Sequence, residues 1–395
     1  MATTEKPQDA LMKNYGDRLA TLVRGKGCWV WDETGRKYLD LLSGIAVNLL
    51  GHCHPAVVEA IRAQSETLIH VSNLYHAPPQ AMLAAKLAEI SFGGRVFFGN
   101  SGAEANEAAI KLARRYMRAV KGEDRYAVIT MENSFHGRTL ATVTATGQKK
   151  YHQHFQPLVE GFAYAKFNDL QSVEALVDEK TAAVLVEPIQ GEGGDNIARA
   201  DFLRGLRTLC DERGLLLIYD EVQCGMGRTG RWFAYQHAGV EPDVMTLAKP
   251  LGGGLPLGAC LARPEVAEAL VPGSHASTFG GNPVSCAAGL AMIDYIERED
   301  LLPRVMQLGA LLSGLLDELA ESCDCVVEER GVGLMRGIEL DRPGKDIVTR
   351  CQEKGLLINC TAERFVRFLP PLTVTEEELR RGVQMLGEAI AEVAS

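Results

Sequence analysis

The chain has 395 residues, 46% of them apolar and 23% charged, which is ordinary for a globular protein and enough material for more than one core. A net charge of −10, with no basic run longer than pairs such as Lys149-Lys150, argues against nucleic-acid and anionic-membrane partners, since both want basic patches. Ten cysteines without a C-x-x-C read as free thiols in a reducing compartment rather than as disulfides or zinc ligands.

The start, Met1 to Asn14, is polar and lacks the apolar core of a secretory signal. No apolar run approaches the roughly 18 residues of a membrane span. A cytoplasmic location is the expectation. Trp29 to Asp32 and Lys37 to Asp40 flank Glu33-Thr34-Gly35-Arg36 and predict a hairpin. His52-Cys53-His54 has a metal-like look, but Pro55 opens a helix at Ala56 and no third ligand stands nearby in sequence. These are expected to be turn residues.

Strands are predicted over 95–98, 126–131, 183–187, 215–219, 243–247 and 257–262. They are apolar throughout rather than alternating, as when helices cover both faces of a sheet. Helical patterns fill 103–120, 170–177 and 200–213 between them. This β–α rhythm predicts an α/β sandwich around a mostly parallel sheet. Gly225-Met226-Gly227-Arg228-Thr229-Gly230 has the spelling of a dinucleotide-binding loop, but its sequel Arg231 to Tyr235 makes a poor long helix, so NAD binding is set aside. After Pro283 a helix is expected to about 299 and another over 301–322. Short strands over 325–328 and 334–339 and a closing helix over 376–393 follow. The expected organisation is a large domain, 51–289, and a smaller α+β domain built from 1–50 and 290–395.

The chemistry gathers at strand ends. Lys249 follows the apolar stretch Val244 to Leu247 and runs into Pro250 and Gly252-Gly253-Gly254, where the backbone leaves room for something large. Such a lysine suits a Schiff base to a cofactor aldehyde, although a surface lysine before a turn reads the same in isolation. Earlier, Asp220 ends Leu215 to Tyr219 and is followed by Glu221-Val222-Gln223. A carboxylate there can keep a pyridine nitrogen protonated; it can also be an ordinary strand-end acid. Asn100-Ser101-Gly102-Ala103-Glu104 is a small-residue turn opening a helix, whose free N–H groups suit a phosphate or simply a capped start. Phe135 could lie on a ring and Arg138 could grip a carboxylate, or they could be a core phenylalanine and a solvated arginine.

Together these residues resemble the class III pyridoxal-phosphate aminotransferases, along nearly the whole chain from Trp31-Asp32-Glu33-Thr34-Gly35 to Arg367-Phe368-Leu369-Pro370-Pro371-Leu372. The most specific block is Asp220 to Gly230 followed by Leu247-Ala248-Lys249. Ser43 to Asn48, Phe135 to Thr139 and Glu187-Pro188-Ile189-Gln190-Gly191-Glu192-Gly193-Gly194 look most like the branch acting on acetylornithine.

The resemblance implies the type I fold of pyridoxal-phosphate transferases, with a seven-stranded sheet in the large domain. It implies Lys249 as the covalent anchor and proton carrier, Asp220 on the pyridine nitrogen, and Gln223 on the phenolic oxygen. Phe135 and Val222 would take the two ring faces, with Glu221 counted among the cofactor contacts. Ser101, Gly102 and Ala103 would cradle the phosphate, although relatives usually carry threonine where Ala103 stands. Thr278 would reach the phosphate held by a neighbouring subunit, which implies a homodimer with shared sites. Arg138, Ser277 and Arg367 would bind substrate. Glu192 would neutralise Arg367 when no carboxylate is there and swing away when one arrives. The implied reaction moves the terminal amine of N-acetylornithine to 2-oxoglutarate, with succinylornithine, ornithine, 4-aminobutyrate or N-succinyl-diaminopimelate chemistry as alternatives. Gly44, where ornithine aminotransferases carry a tyrosine, leaves room for an acylated donor.

Overall fold

The computed structural model describes residues 10–16 and 19–394; most of the polar start therefore lies outside the described residues. Seven strands make the central sheet: β1 Arg95–Gly99, β2 Ala127–Met131, β3 Phe162–Ala165, β4 Thr181–Val186, β5 Leu216–Asp220, β6 Val244–Leu247 and β7 Gly258–Ala262. Their spatial order is β1-β7-β6-β5-β4-β2-β3. Only β7 runs against its neighbours; the other pairings are parallel.

The apolar runs make sense as strands buried on two sides. Leu216 and Ile218 of β5 point into one layer with Ala109 and Leu112 of helix α1, Gly102–Arg115. Leu217 and Tyr219 point into the other with Phe202 and Leu206 of helix α2, Ala200–Arg213. Successive side chains of one strand thus enter opposite cores. The register sets strand ends side by side: Asp220 pairs with Thr246, so Lys249 leaves the sheet three residues beyond its neighbour.

Six of these strands lie where the apolar runs predict them. The seventh, β3, was not read from sequence, because a four-residue, mostly half-buried edge strand carries no long apolar run. The helix predicted over 103–120 begins one residue earlier as α1 and ends in a π-helical turn, Tyr116–Val120. The helix expected over 170–177 is shorter, Leu170–Glu174.

The two ends of the chain meet outside this sheet. Leu22–Lys26, the predicted hairpin Trp29–Asp32 with Lys37–Asp40, and Leu356–Leu357 form one sheet, in which Leu39 pairs with Leu356. A second, antiparallel sheet contains Val326–Val332, Met335–Leu340, Phe365–Phe368 and Asn359–Thr361 in that order. Phe365–Phe368 is an inner strand, so Arg367 is carried on a buried element.

The glycine block at 225–230 forms turns, and the helix beyond it, Tyr235–Ala238, is a single turn. Arg228 within it is buried and donates to the carbonyls of Leu334 and Pro370. His52 Nε2 lies 2.6 Å from Asp40 Oδ2, and the His54 ring packs edge-on against Tyr295. All ten cysteines are unpaired. Among the described residues no helix is long and apolar enough to cross a membrane.

Candidate active site

The C-terminal ends of β5 and β6 and the N-terminus of α1 open onto one cavity of about 470 Å³. It is bordered by Ser101, Gly102 and Ala103 at the helix mouth, by Phe135 and Arg138, by Glu192, and by Asp220, Val222, Gln223 and Lys249. Ten of the fourteen residues singled out from sequence therefore share one wall. Crevices at strand C-termini are where open α/β sheets bind ligands.

Asp220 is the most firmly held. Its Oδ2 accepts from Asn106 Nδ2 at 2.7 Å and from His136 Nδ1 at 2.8 Å, and its Oδ1 accepts the Val222 N–H at 3.0 Å. Asn106 is fixed in turn, accepting from Thr246 Oγ1 at 2.7 Å and donating to the His136 carbonyl at 2.8 Å. Donors on three separate segments thus converge on one buried acid. Neither Asn106 nor His136 was given a role from sequence. The available signal was a lone asparagine on the alanine-rich buried face of α1.

Lys249 stands opposite, with its backbone in the left-handed region (φ 38°), a conformation that non-glycine residues avoid. No hydrogen bond or ion pair restrains its ammonium among the described residues. Burial brings its pKa down from 10.5 to about 8, against the opposing pull of Glu192, Asp220 and Glu187. Glu187, at the end of β4, is a further acid missed in the sequence; its Oε2 accepts the Phe135 N–H at 3.0 Å. Burial and the neighbouring Asp220 push its carboxyl well above the usual range.

At the cavity mouth Arg138 is exposed and meets aromatic faces only, 4.0 Å from the Tyr151 ring and 5.4 Å from that of Phe135. Among the described residues no carboxylate pairs with it. Arg367 lies behind the wall rather than in it, fully buried. Its Nη2 is 3.0 Å from Glu192 Oε1, and its Nη1 donates to Gln223 Oε1 at 2.7 Å and to the Gly191 carbonyl at 2.9 Å. Burial pushes the Glu192 carboxyl up, but Arg367 and Lys249 outweigh it and hold the group below the usual carboxylate value. Glu192 therefore stands between the cavity and a buried guanidinium.

Besides Arg367, three residues do not border this cavity. Glu221 turns its carboxylate away, accepting the N–H groups of Ala234 at 2.8 Å and Tyr235 at 2.7 Å. It braces the turn after Asp220, and its carboxylate does not border the cavity. Ser277 Oγ accepts from Asn100 Nδ2 at 3.0 Å and from the Gly280 N–H at 3.1 Å, so its hydroxyl shapes a loop and does not border the cavity. Thr278 is exposed on that loop, beside Ser72 and Asn73.

These residues suit pyridoxal phosphate. Ser101 caps α1 by accepting the Glu104 N–H at 3.2 Å, which leaves the Gly102 and Ala103 N–H groups directed out of the helix mouth. Gly102 is required there, since a Cβ would come within 2.8 Å of Val222 Cγ1. The close fit of Val222 over Gly102 joins the phosphate end of the cavity to the Asp220 end. Lys249 would anchor the aldehyde carbon and Asp220 would face the ring nitrogen.

The lowered lysine pKa has a measurable consequence. An amine attacks an aldehyde as the neutral base, and Lys249 becomes neutral as pH rises through about 8. The rate at which cofactor-free protein takes up pyridoxal phosphate should rise with an apparent pKa near 8. A rate still climbing at pH 10, as for an ordinary lysine, would refute this environment.

Comparison with known proteins agrees with this geometry. The sequence profile of the family described as Aminotransferase class-III matches residues 11–390. The acetylornithine aminotransferase of Methanocaldococcus jannaschii is 51% identical over 96% of this chain and 95% of its own length. That of Aquifex aeolicus is 52% identical over 96% and 99%. The ornithine aminotransferase structure from Toxoplasma gondii superposes with a TM-score of 0.93 at 35% identity, covering 98% of this chain and 93% of that one. The N-acetylornithine aminotransferase of Stenotrophomonas maltophilia gives 0.84 at 38%, covering 97% and 98%. Shape alone thus does not separate the two donors.

Proposed function

The chain belongs to the class-III aminotransferases, and from that premise we propose that it moves the terminal amino group of N2-acetyl-L-ornithine to 2-oxoglutarate. The products are N-acetyl-L-glutamate 5-semialdehyde and L-glutamate, a step of arginine biosynthesis. The enzyme is a transaminase of the class that uses pyridoxal phosphate. When bound, that cofactor supplies a cationic ring that takes up the electrons released when a C–H bond beside the amine breaks.

The observation that carries the reading is the pair of arginines on either side of Glu192. Arg138 at the mouth is free to take a carboxylate in both half-reactions: the α-carboxylate of acetylornithine, then the γ-carboxylate of 2-oxoglutarate. Arg367 is neutralised by Glu192 at 3.0 Å, which suits a donor that presents only a terminal amine there. When glutamate brings an α-carboxylate, Glu192 leaves and Arg367 takes it. Lys249 Nζ accepts and returns the proton at the reacting carbon. With the cofactor bound, Asp220 would keep the ring nitrogen protonated, Gln223 would meet the phenolic oxygen, Phe135 and Val222 would flank the ring, and Ser101, Gly102 and Ala103 would hold the phosphate. Thr278 serves the cavity of a neighbouring subunit in a homodimer, and Ser277 is counted among the substrate-binding residues. The same proposal assigns 51–289 to the cofactor-bearing domain and 1–50 with 290–395 to the smaller one, supported by the pairing of Leu39 with Leu356. The unpaired thiols support a cytoplasmic setting.

Each half-reaction can be followed separately by the cofactor's absorbance. Acetylornithine should bleach it faster than succinylornithine, ornithine or 4-aminobutyrate, and 2-oxoglutarate should restore it. Ornithine or 4-aminobutyrate outrunning both acylated donors would overturn the donor assignment. Glu192→Ala should slow the acetylornithine half-reaction relative to the glutamate one by roughly 30-fold, the ~2 kcal/mol lower bound for stripping one partner from a buried charge pair. An unchanged ratio would remove the switch from the account.

A further inference from the structure

A second carboxylate lies against Arg367, and the reaction as described has no task for it. Asp195 follows Gly193-Gly194 in the turn after Glu192. It is 0% exposed, its backbone is left-handed (φ 52°), and neither carboxylate oxygen has a hydrogen-bond partner among the described residues. Its Oδ1 is 3.7 Å from Arg367 Nη1. That nitrogen is already donating to Gln223 and Gly191, so Asp195 gains the charge of the guanidinium without a hydrogen bond. A buried, unpartnered acid on a strained backbone is costly as a structural element. Its position beside the guanidinium gives it something to act on.

We propose that Asp195 is a second counter-ion of Arg367, a positioning residue that competes, when ionised, with the substrate α-carboxylate for the guanidinium. This rests on the reading of Arg367 as the site for that carboxylate. The charged groups facing Asp195 are Arg367 from the inner strand, Glu192 from its own turn, Arg330 from Val326–Val332, and Lys249 from the cavity. Arg228 is also within its field, from the turn after Gly225. Burial pushes the Asp195 carboxyl from 3.8 up to about 7, even though Arg367 pulls it down. The group therefore changes charge in the neutral range. Protonated, it leaves the guanidinium to the substrate once Glu192 has moved. Ionised, it holds part of that charge back. Carboxylate capture at Arg367 should weaken as pH rises through 7, and binding at neutral pH should take up a proton.

Glutarate, a five-carbon dicarboxylate without an amino group, tests this by calorimetry on the cofactor-loaded enzyme. Its affinity should fall about tenfold more between pH 6 and pH 8 in the native protein than in Asp195→Asn, as full coupling to one group titrating near 7 requires. Asp195→Asn should bind more tightly than the native protein at pH 8, and Asp195→Val should share its weaker pH dependence. Glu187, Glu192 and the cofactor-bearing Lys249 are present in all three proteins, so the difference isolates Asp195. An affinity change of equal size at both pH values, or an unchanged pH profile, would overturn the proposal. Arg367→Ala separates this from its premise: if that variant binds glutarate as the native protein does, it is the assignment of Arg367 that fails.

Discussion

Replacing Lys249 by alanine is expected to lower transamination by on the order of 10⁴-fold or more, because it would remove both the proposed covalent anchor and the proposed proton carrier. The site offers no substitute. Glu187 and Asp220 are acids engaged with Phe135 and with Asn106 and His136, and the guanidinium of Arg367 is a buried, paired cation. Lys249→Arg should not rescue, since a guanidinium stays charged where a neutral amine is needed. Cofactor affinity should fall less than turnover, because the mouth of α1 and Asp220 remain. A variant that keeps its rate within tenfold of native would place the anchor elsewhere.

Asp220→Asn should lower kcat by about 10³-fold, or ~4 kcal/mol of barrier, with little change in KM for either carboxylate substrate. Asp220 accepts from Asn106, His136 and the Val222 N–H. An amide there would set an N–H₂ against donors and would no longer present an anion to the ring nitrogen. Arg138 and Arg367 are untouched, which is why the loss should fall on kcat. A loss confined to KM, or smaller than tenfold, would mean that Asp220 does not control the cofactor's charge.

The sequence made strands legible where both faces are covered, because burial on two sides leaves few polar residues. Thus β4 to β7 stand out, and the acid and lysine that end β5 and β6 follow from them. Helix Pro78–Ile90 has no counterpart among the predicted elements, although Leu83, Leu87 and Ile90 recur at helical spacing and its two prolines stand at the start, where a helix tolerates them. The edge strand β3 left no comparable trace.

The site divides in the same way. Ser101, Gly102, Asp220 and Lys249 are placed by local elements, so their neighbourhood could be read. Glu221 could have been separated from Asp220, since successive residues at a strand end face opposite ways and only one can meet the cavity. Asp195 was beyond reach: an aspartate after two glycines reads as a turn residue, and only the fold shows it sealed beside Arg367. Arg367 itself lies 175 residues from Glu192, so their pairing was visible only through resemblance.

The central claim is that Lys249 carries the cofactor at the strand end facing Asp220. Borohydride reduction of the pyridoxal-phosphate-loaded enzyme, followed by peptide mass mapping, tests it most directly, with Lys249→Ala as the control. The account predicts one reduced pyridoxyl-phosphate adduct, on the peptide containing Lys249, and none on the control. An adduct on another lysine, or no adduct on the native protein, would contradict it.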